Sequence, residues 1–270
     1  MSDSLIALVV GLAAGTHTAT WGMFKDSPHE GFTWLRWSRS MILSAIIAPM
    51  LQLITRLDMH TAPGLAVLFG ITYVGERICT EFYKTFVREE DQSKYAIPMQ
   101  FAVKGRVVHD RRTRHIVAAC VTAVAILLTV GVVFLERSSP GAQSLLATAA
   151  IGSLGGWFSA VGGAWKDAPI EGFSAAKFVR SPLVAVAWAL LLSQFTDNLL
   201  MIGFGALGYT IATLETYKTF FFPNEPRGKF GGKPVIRPDM LVKRWRFVPV
   251  YAAIWLAVLT TIVIGLSEVL

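Results

Sequence analysis

Charge and cysteine are both scarce in this chain. Only 16% of its 270 residues are Asp, Glu, Lys or Arg, and it has two cysteines, Cys79 and Cys120. With 53% hydrophobic residues and a mean hydropathy of +0.52, the chain is far too apolar to be disordered, and two cysteines cannot frame a disulfide scaffold. Both cysteines sit in apolar stretches, which points to packing rather than redox or metal chemistry. The composition is that of a polytopic membrane protein.

Leu5 to Met23, His115 to Leu135, Leu145 to Trp165 and Phe247 to Leu266 carry almost no charge. Each holds about 20 residues, enough at about 1.5 Å per residue to cross a hydrocarbon core of about 30 Å. Trp37 to Thr55, Pro63 to Lys84, Phe178 to Phe195 and Leu199 to Phe221 are apolar with charge toward one end. The expectation is an all-α protein with eight spans. The first is not a secretory signal, because Asp3 precedes it and no Lys or Arg does.

The chain repeats itself. Residues 25–40 read KDSPHEGFTWLRWSRS and residues 166–181 read KDAPIEGFSAAKFVRS. Downstream, Glu81 to Phe86 (EFYKTF) matches Glu215 to Phe220 (ETYKTF), and each copy then enters a basic loop and a final apolar helix. This predicts a first four-helix unit over 1–140 and a second over 141–270, with basic loops at 87–114 and 221–246. Four spans per unit return the chain to the same side, so the repeats should be parallel, about an axis along the membrane normal.

Orientation follows from the basic residues. Loop 87–114 holds seven Lys or Arg against four Asp or Glu, and loop 221–246 holds seven against two. The opposite face has Arg56 and Arg137 against Asp3, Asp58, Glu136, Asp197 and Glu268. Loops and motifs should therefore be cytoplasmic and both termini outside, in a membrane expected to be a bacterial inner membrane.

Topology alone selects such loops, and attraction to anionic lipid headgroups adds about 1 kcal/mol per basic residue. Nucleic acid is a poor fit, since the charge is divided between two juxtamembrane loops without a recognition motif. The segment from Arg227 to Pro234 combines Lys229 and Lys233 with three glycines, so its amides could approach a phosphate, although it lacks the spacing of a P-loop.

The duplicated KDxPxEGF segment is expected to form an elbow between spans, Pro and Gly breaking the helix. Asp26, Glu30, Asp167 and Glu171 lie near Arg36, Arg39, Lys177 and Arg180 in sequence. Two readings fit: interfacial ion pairs that fix the hairpin, or a site in which Lys25, Arg39, Lys166 and Arg180 contact an anion. An unpaired guanidinium at the start of a span costs at least about 2.5 kcal/mol, so Arg39 and Arg180 need a partner or a short reach to the interface.

Glu81 and Lys84, like Glu215 and Lys218, are spaced i,i+3 on one helix face. Their acids are unexpected at a basic membrane edge and suggest ion pairing or coupling to protons or cations. Glu76 and Arg77 lie deeper and face Thr210 and Ile211 in the alignment of the copies, so that pair belongs to one half. His17, aligned with Phe158, reads as a packed or hydrogen-bonded residue. Small residues on the first helix of each unit, among them Gly11, Gly15, Gly152 and Gly156, are expected to line the interface between units.

Neither a Ser-His-Asp arrangement nor zinc spacing nor a GxSxG or HExxH motif is present, and no metal or cofactor is implied. The leading expectation is a transporter, flippase or channel-like protein with a cytoplasm-facing site for an anionic, phosphorylated or lipid-linked ligand. The alternatives are an integral membrane enzyme of lipid metabolism, with the elbow acids holding a metal, and a non-catalytic scaffold. A homo-oligomer is compatible with all three.

Overall fold

The computed structural model describes residues 1–138, 144–225 and 228–269. The chain is almost wholly helical. In order come α1 (Asp3–Glu30), α2 (Trp34–Thr55), α3 (Ala62–Phe82) with a π-helical turn (Tyr83–Val87), α4 (Arg111–Ser138), α5 (Leu145–Glu171), α6 (Ala175–Leu192), α7 (Leu199–Phe220), the short α8 (Met240–Lys243) and α9 (Val248–Val269). The loop before α4 holds a two-stranded hairpin, β1 (Ala102–Val103) and β2 (Arg106–Val107), whose turn residues Lys104 and Gly105 both have positive φ.

Among the described residues, seven helical runs are long and apolar enough to cross a membrane: α1, α2, α4, α5, α6, α7 and the run Met240–Val269. The expected eighth span, α3, is not among them. It carries Glu76, Arg77 and Glu81 in its second half and lies in the middle of the molecule, with ten of its residues from Ala66 to Glu76 buried. Burial runs opposite to that of a water-soluble protein. His17, Thr20, Thr72 and Glu76 are fully buried, while Ile46, Leu53, Leu127, Phe134, Leu256 and Val263 stand exposed on α2, α4 and α9. An apolar exterior of this extent needs lipid around it, and the chain is accordingly a multi-pass membrane protein.

The motif helices are longer than a bilayer requires. At 28 and 27 residues, α1 and α5 extend about 40 Å. KDSPHE and KDAPIE therefore form their last two turns and not a loop, a correction to the expected elbow. The reversals are the short segments 31–33 and 172–174. Gly31 (φ 77°) and Gly172 (φ 83°) adopt the positive φ that only glycine takes without strain. Thr33 and Ser174 then cap α2 and α6 by accepting from the amides of Arg36 and Lys177.

Helix packing also corrects the expected interface. Gly11 and Gly15 bring α1 against Ser44, Ala48 and Ser40 of α2, and Gly152 and Gly156 bring α5 against Ala189, Ser181 and Pro182 of α6. These glycines close hairpins within each half. The halves meet instead through α3 and α7, where Gly70 lies against Tyr209 and Gly205, and Gly208 against the Gly70 carbonyl. The Tyr209 hydroxyl donates to the Ala66 carbonyl at 2.8 Å across that contact. Backbones can approach this closely only where a side chain is missing. The last helices cross over as well: α9 packs on α3 and α1, and α4 packs on α7. Cys79 and Cys120 are free and exposed on α3 and α4 rather than packed.

Candidate functional site

The helix ends on the loop face gather the duplicated charges into one cluster. Glu215 on α7 accepts Lys218 at 3.2 Å and lies 3.7 Å from Lys25 on α1 of the other half. Glu81 on α3 accepts Lys84 at 3.2 Å and is bonded to Arg77, which lies 3.7 Å from Glu76. The first half thus sends its motif lysine toward the second half's glutamate.

The two motif lysines, Lys25 and Lys166 of α5, are poorly matched. Among the described residues Lys25 has no carboxylate within hydrogen-bond reach, and the hydrogen-bond acceptor of Lys166 is the Met99 thioether at 3.3 Å, a weak acceptor for an ammonium. Next to them, Gly22 and Gly163 have no atom within 4 Å of where a Cβ would stand, so α1 and α5 are open on that side one turn before the lysines. Glu81 is likewise 41% exposed although it stands among helices. The cluster therefore borders open space.

Above the cluster, the two basic loops cross. The second loop closes the first motif: Lys229 binds Asp26 at 2.8 Å and Glu30 at 3.6 Å, and the amides of Ile236 and Arg237 donate to the Pro28 carbonyl. His29 stacks on Phe230 and hydrogen-bonds the Pro234 carbonyl at 3.0 Å. Pro28 has no N–H for the Phe24 carbonyl, one turn back. Arg244 supplies the missing donor at 3.0 Å while bonding Pro223 O at 2.7 Å, which is how a proline persists inside α1.

The first loop covers the second motif. Trp165 donates to the Ala102 carbonyl at 2.8 Å, Met99 meets Lys166, and the Gly105 turn lies over Pro169 and Ile170. The loops are joined by the Ala96 amide on the Lys229 carbonyl, by Lys233 Nζ on the Ser93 carbonyl, and by Tyr95 against Phe230 with ring centroids 5.6 Å apart. Within this cap, burial pushes Glu90 up, but the hydrogen bond from Lys94 and the charge of Arg88 outweigh it and hold the carboxyl below the ordinary range. Burial, reinforced by Glu30, raises the Tyr95 hydroxyl.

The remaining expected residues are scattered. Arg39 is exposed at the start of α2 and does not join the cluster. Arg180 lies over the Tyr217 ring at 5.8 Å, a cation–π contact in place of a carboxylate. Glu171 pairs locally with Lys177 at 3.3 Å, and Asp167 stands near Lys166 and Lys218 without a close ion pair. Lys229 and Lys233 are both committed to protein acceptors, and Arg227 lies outside the described residues. His17 is buried as expected, its Nδ1 3.1 Å from the Tyr73 hydroxyl and its ring stacked on Tyr251.

Arg244, Trp165, Met99 and Tyr95 are the residues that sequence reasoning missed. One signal was present, since Lys94-Tyr95 and Lys229-Phe230 occupy matching places in the two loops and meet in the cap. Compared with known proteins, the chain matches no family model, no curated protein and no solved structure.

Proposed function

We propose that this protein is a membrane transporter, flippase or channel-like protein built as two parallel four-helix repeats, α3 being the eighth span, with a cytoplasm-facing site for a phosphate-bearing or other anionic ligand. In this reading the basic loops face the cytoplasm, the termini lie outside, and the membrane is a bacterial inner membrane. The observation that carries the proposal is the pair Lys25 and Lys166: two equivalent ammonium groups beside open space, one 3.7 Å from its carboxylate and the other resting on a thioether. A half-buried cation without a matched acceptor is unfavourable, and an anion between the two would supply the missing acceptors. Lys84 and Lys218 stand next to them, each shared with a glutamate that orients it.

The metal-enzyme alternative finds weaker support in the donor set. Asp26 pairs with Lys229, Glu30 with Lys229, Lys94 and Arg36, and Glu171 with Lys177, so of the four motif acids Asp167 alone lacks a close ion pair among the described residues. The scaffold reading draws on the basic loops, which would also attract anionic headgroups.

The test is native mass spectrometry of gently solubilised protein, searching for a copurifying phosphorylated lipid or small molecule, with K25A/K166A as the control. A defined anionic ligand lost in the double variant supports the site and licenses a transport assay with that ligand in proteoliposomes. A ligand-free protein, or bulk phospholipid equally retained by the variant, defeats the assignment and favours a scaffold.

A further inference from the structure

Glu76 is the most deeply buried carboxylate among the described residues. Its side chain has no exposure, and neither carboxylate oxygen has a hydrogen-bond partner. The neighbouring acids are better served. Glu81 holds Arg77 and Lys84, and Glu215 holds Lys218 with Lys25 beyond it, so each faces two bases. Among the described residues Glu76 has only Arg77, at 3.7 Å, and that guanidinium is already bonded to Glu81 and lies 5.2 Å over the Trp21 ring. One cation thus stands between two carboxylates, and the inner one is the less satisfied. A buried carboxylate with no hydrogen-bond donor is disfavoured in its ionised form, and a single bound proton removes that charge.

A polar chain continues from this pair into the membrane interior. Tyr73, one turn earlier on α3, receives the Trp21 indole N–H at 2.8 Å and lies 3.1 Å from His17 Nδ1, while His17 Nε2 is buried without a partner. Aligned on the duplicated motifs, the other half places Phe158, Leu207, Thr210 and Ile211 where this half has His17, Tyr73, Glu76 and Arg77. The ionisable interior therefore belongs to one half. If packing alone were required, the other half shows that apolar residues and a threonine suffice.

We propose that Glu76 is a proton-binding site. A proton from the loop face, where Glu81 is partly exposed, converts the carboxylate to a neutral carboxyl; Arg77 then serves Glu81 alone, and release of the proton draws the guanidinium back between the two acids. The charged and titratable groups around the pair are Tyr73, Glu81 and Lys84 on the same helix and its π turn, His17 and Lys25 on α1, Glu215 and Lys218 on α7, and Tyr251 on α9. The basic residues of α2 near this end, Arg36 and Arg39, are exposed at its start. This site does not depend on an anion occupying the cluster below the loops.

The decisive experiment is infrared difference spectroscopy of the full-length protein in lipid bilayers as pH is stepped from acid to alkaline. The expected result is a carbonyl stretch of a protonated, dehydrated carboxyl that is lost in Glu76→Gln and kept in Glu215→Gln. Since Arg77 lies over Trp21, the same pH step should change the Trp21 fluorescence, measured as the difference from Trp21→Phe, and this change should vanish in Glu76→Gln. If Glu76→Gln does not fold, Glu76→Asp replaces it and should displace the band's frequency and its titration midpoint. Absence of the band in the wild-type protein, or its persistence unaltered in Glu76→Gln or Glu76→Asp, overturns the proposal.

Discussion

The two KDxPxEGF helix ends have nearly the same backbone and different partners. Both end in a positive-φ glycine followed by a Thr or Ser cap. Yet Asp26 and Glu30 of the first are clamped by Lys229, whereas Asp167 of the second has no close ion pair and Lys166 rests on a thioether. The difference comes from the loops that arrive above them. The second loop brings a lysine down onto acids; the first brings a hairpin, a methionine and backbone carbonyls. Short-range residues set the geometry of the motif, and the distant loop decides whether its charges are neutralised.

The largest effect should come from the charges present in one half only. Arg77→Ala leaves Glu76 buried without its counter-ion and should lower stability by up to about 3–5 kcal/mol at alkaline pH, seen as a drop in thermal midpoint in detergent that shrinks in acid, where a bound proton neutralises Glu76. Ile211→Ala, at the aligned place in the other half, should cost clearly less. Equal losses would show that the asymmetric pair is not electrostatically special.

Next is the contact shared by both halves. Gly208→Ala drives a methyl group into the Gly70 carbonyl and should cost about 1–3 kcal/mol by the same measurement, because two backbones must separate. Lys229→Ala should have a smaller effect on global unfolding, about 1 kcal/mol, but should expose the second loop to limited proteolysis while the first hairpin over Trp165 stays protected. Parallel cleavage of both loops would mean that they open as one unit.

Acid should distinguish the loops more weakly. The depressed Glu90 carboxyl contributes stability at neutral pH, and this is lost as pH falls below the ordinary glutamate range. In the second loop Asp239 is depressed chiefly by its hydrogen bond from Lys243, but it is exposed and should contribute less. Hydrogen exchange of the two loops across that range should show earlier loosening around Glu90. The smallest effect should be at Gly22→Ala and Gly163→Ala, where the added methyl meets nothing and the better helix former should raise stability by no more than about 0.5–1 kcal/mol.

Class and element boundaries were legible because hydropathy over about 20 residues is a local property. The windows from Leu5 and from Leu145 correspond to α1 and α5, and Pro63 to Lys84 to α3 and the start of its π turn. The motif was misread as a loop because proline and glycine usually end a helix; Arg244, the donor that rescues Pro28, lies 220 residues away from Phe24. The interface was misplaced for a related reason. A run of small residues announces close packing but not its partner, and Gly11 and Gly152 are used on the adjacent helix. In the candidate site, the i,i+3 pairs Glu81/Lys84 and Glu215/Lys218 were readable from spacing. Lys25 on Glu215 was not, because it depends on how the halves come together.

The Arg244 contact also has a consequence for the order of manufacture. Phe24 leaves the ribosome 220 residues before the side chain that satisfies its carbonyl. Over that interval the end of α1 lacks this donor, and until the second loop is made it also lacks Lys229, the base that binds Asp26 and Glu30. The α1–α2 hairpin is therefore completed only after α7 has been made, and a chain stopped before Arg244 leaves the Phe24 carbonyl without its donor.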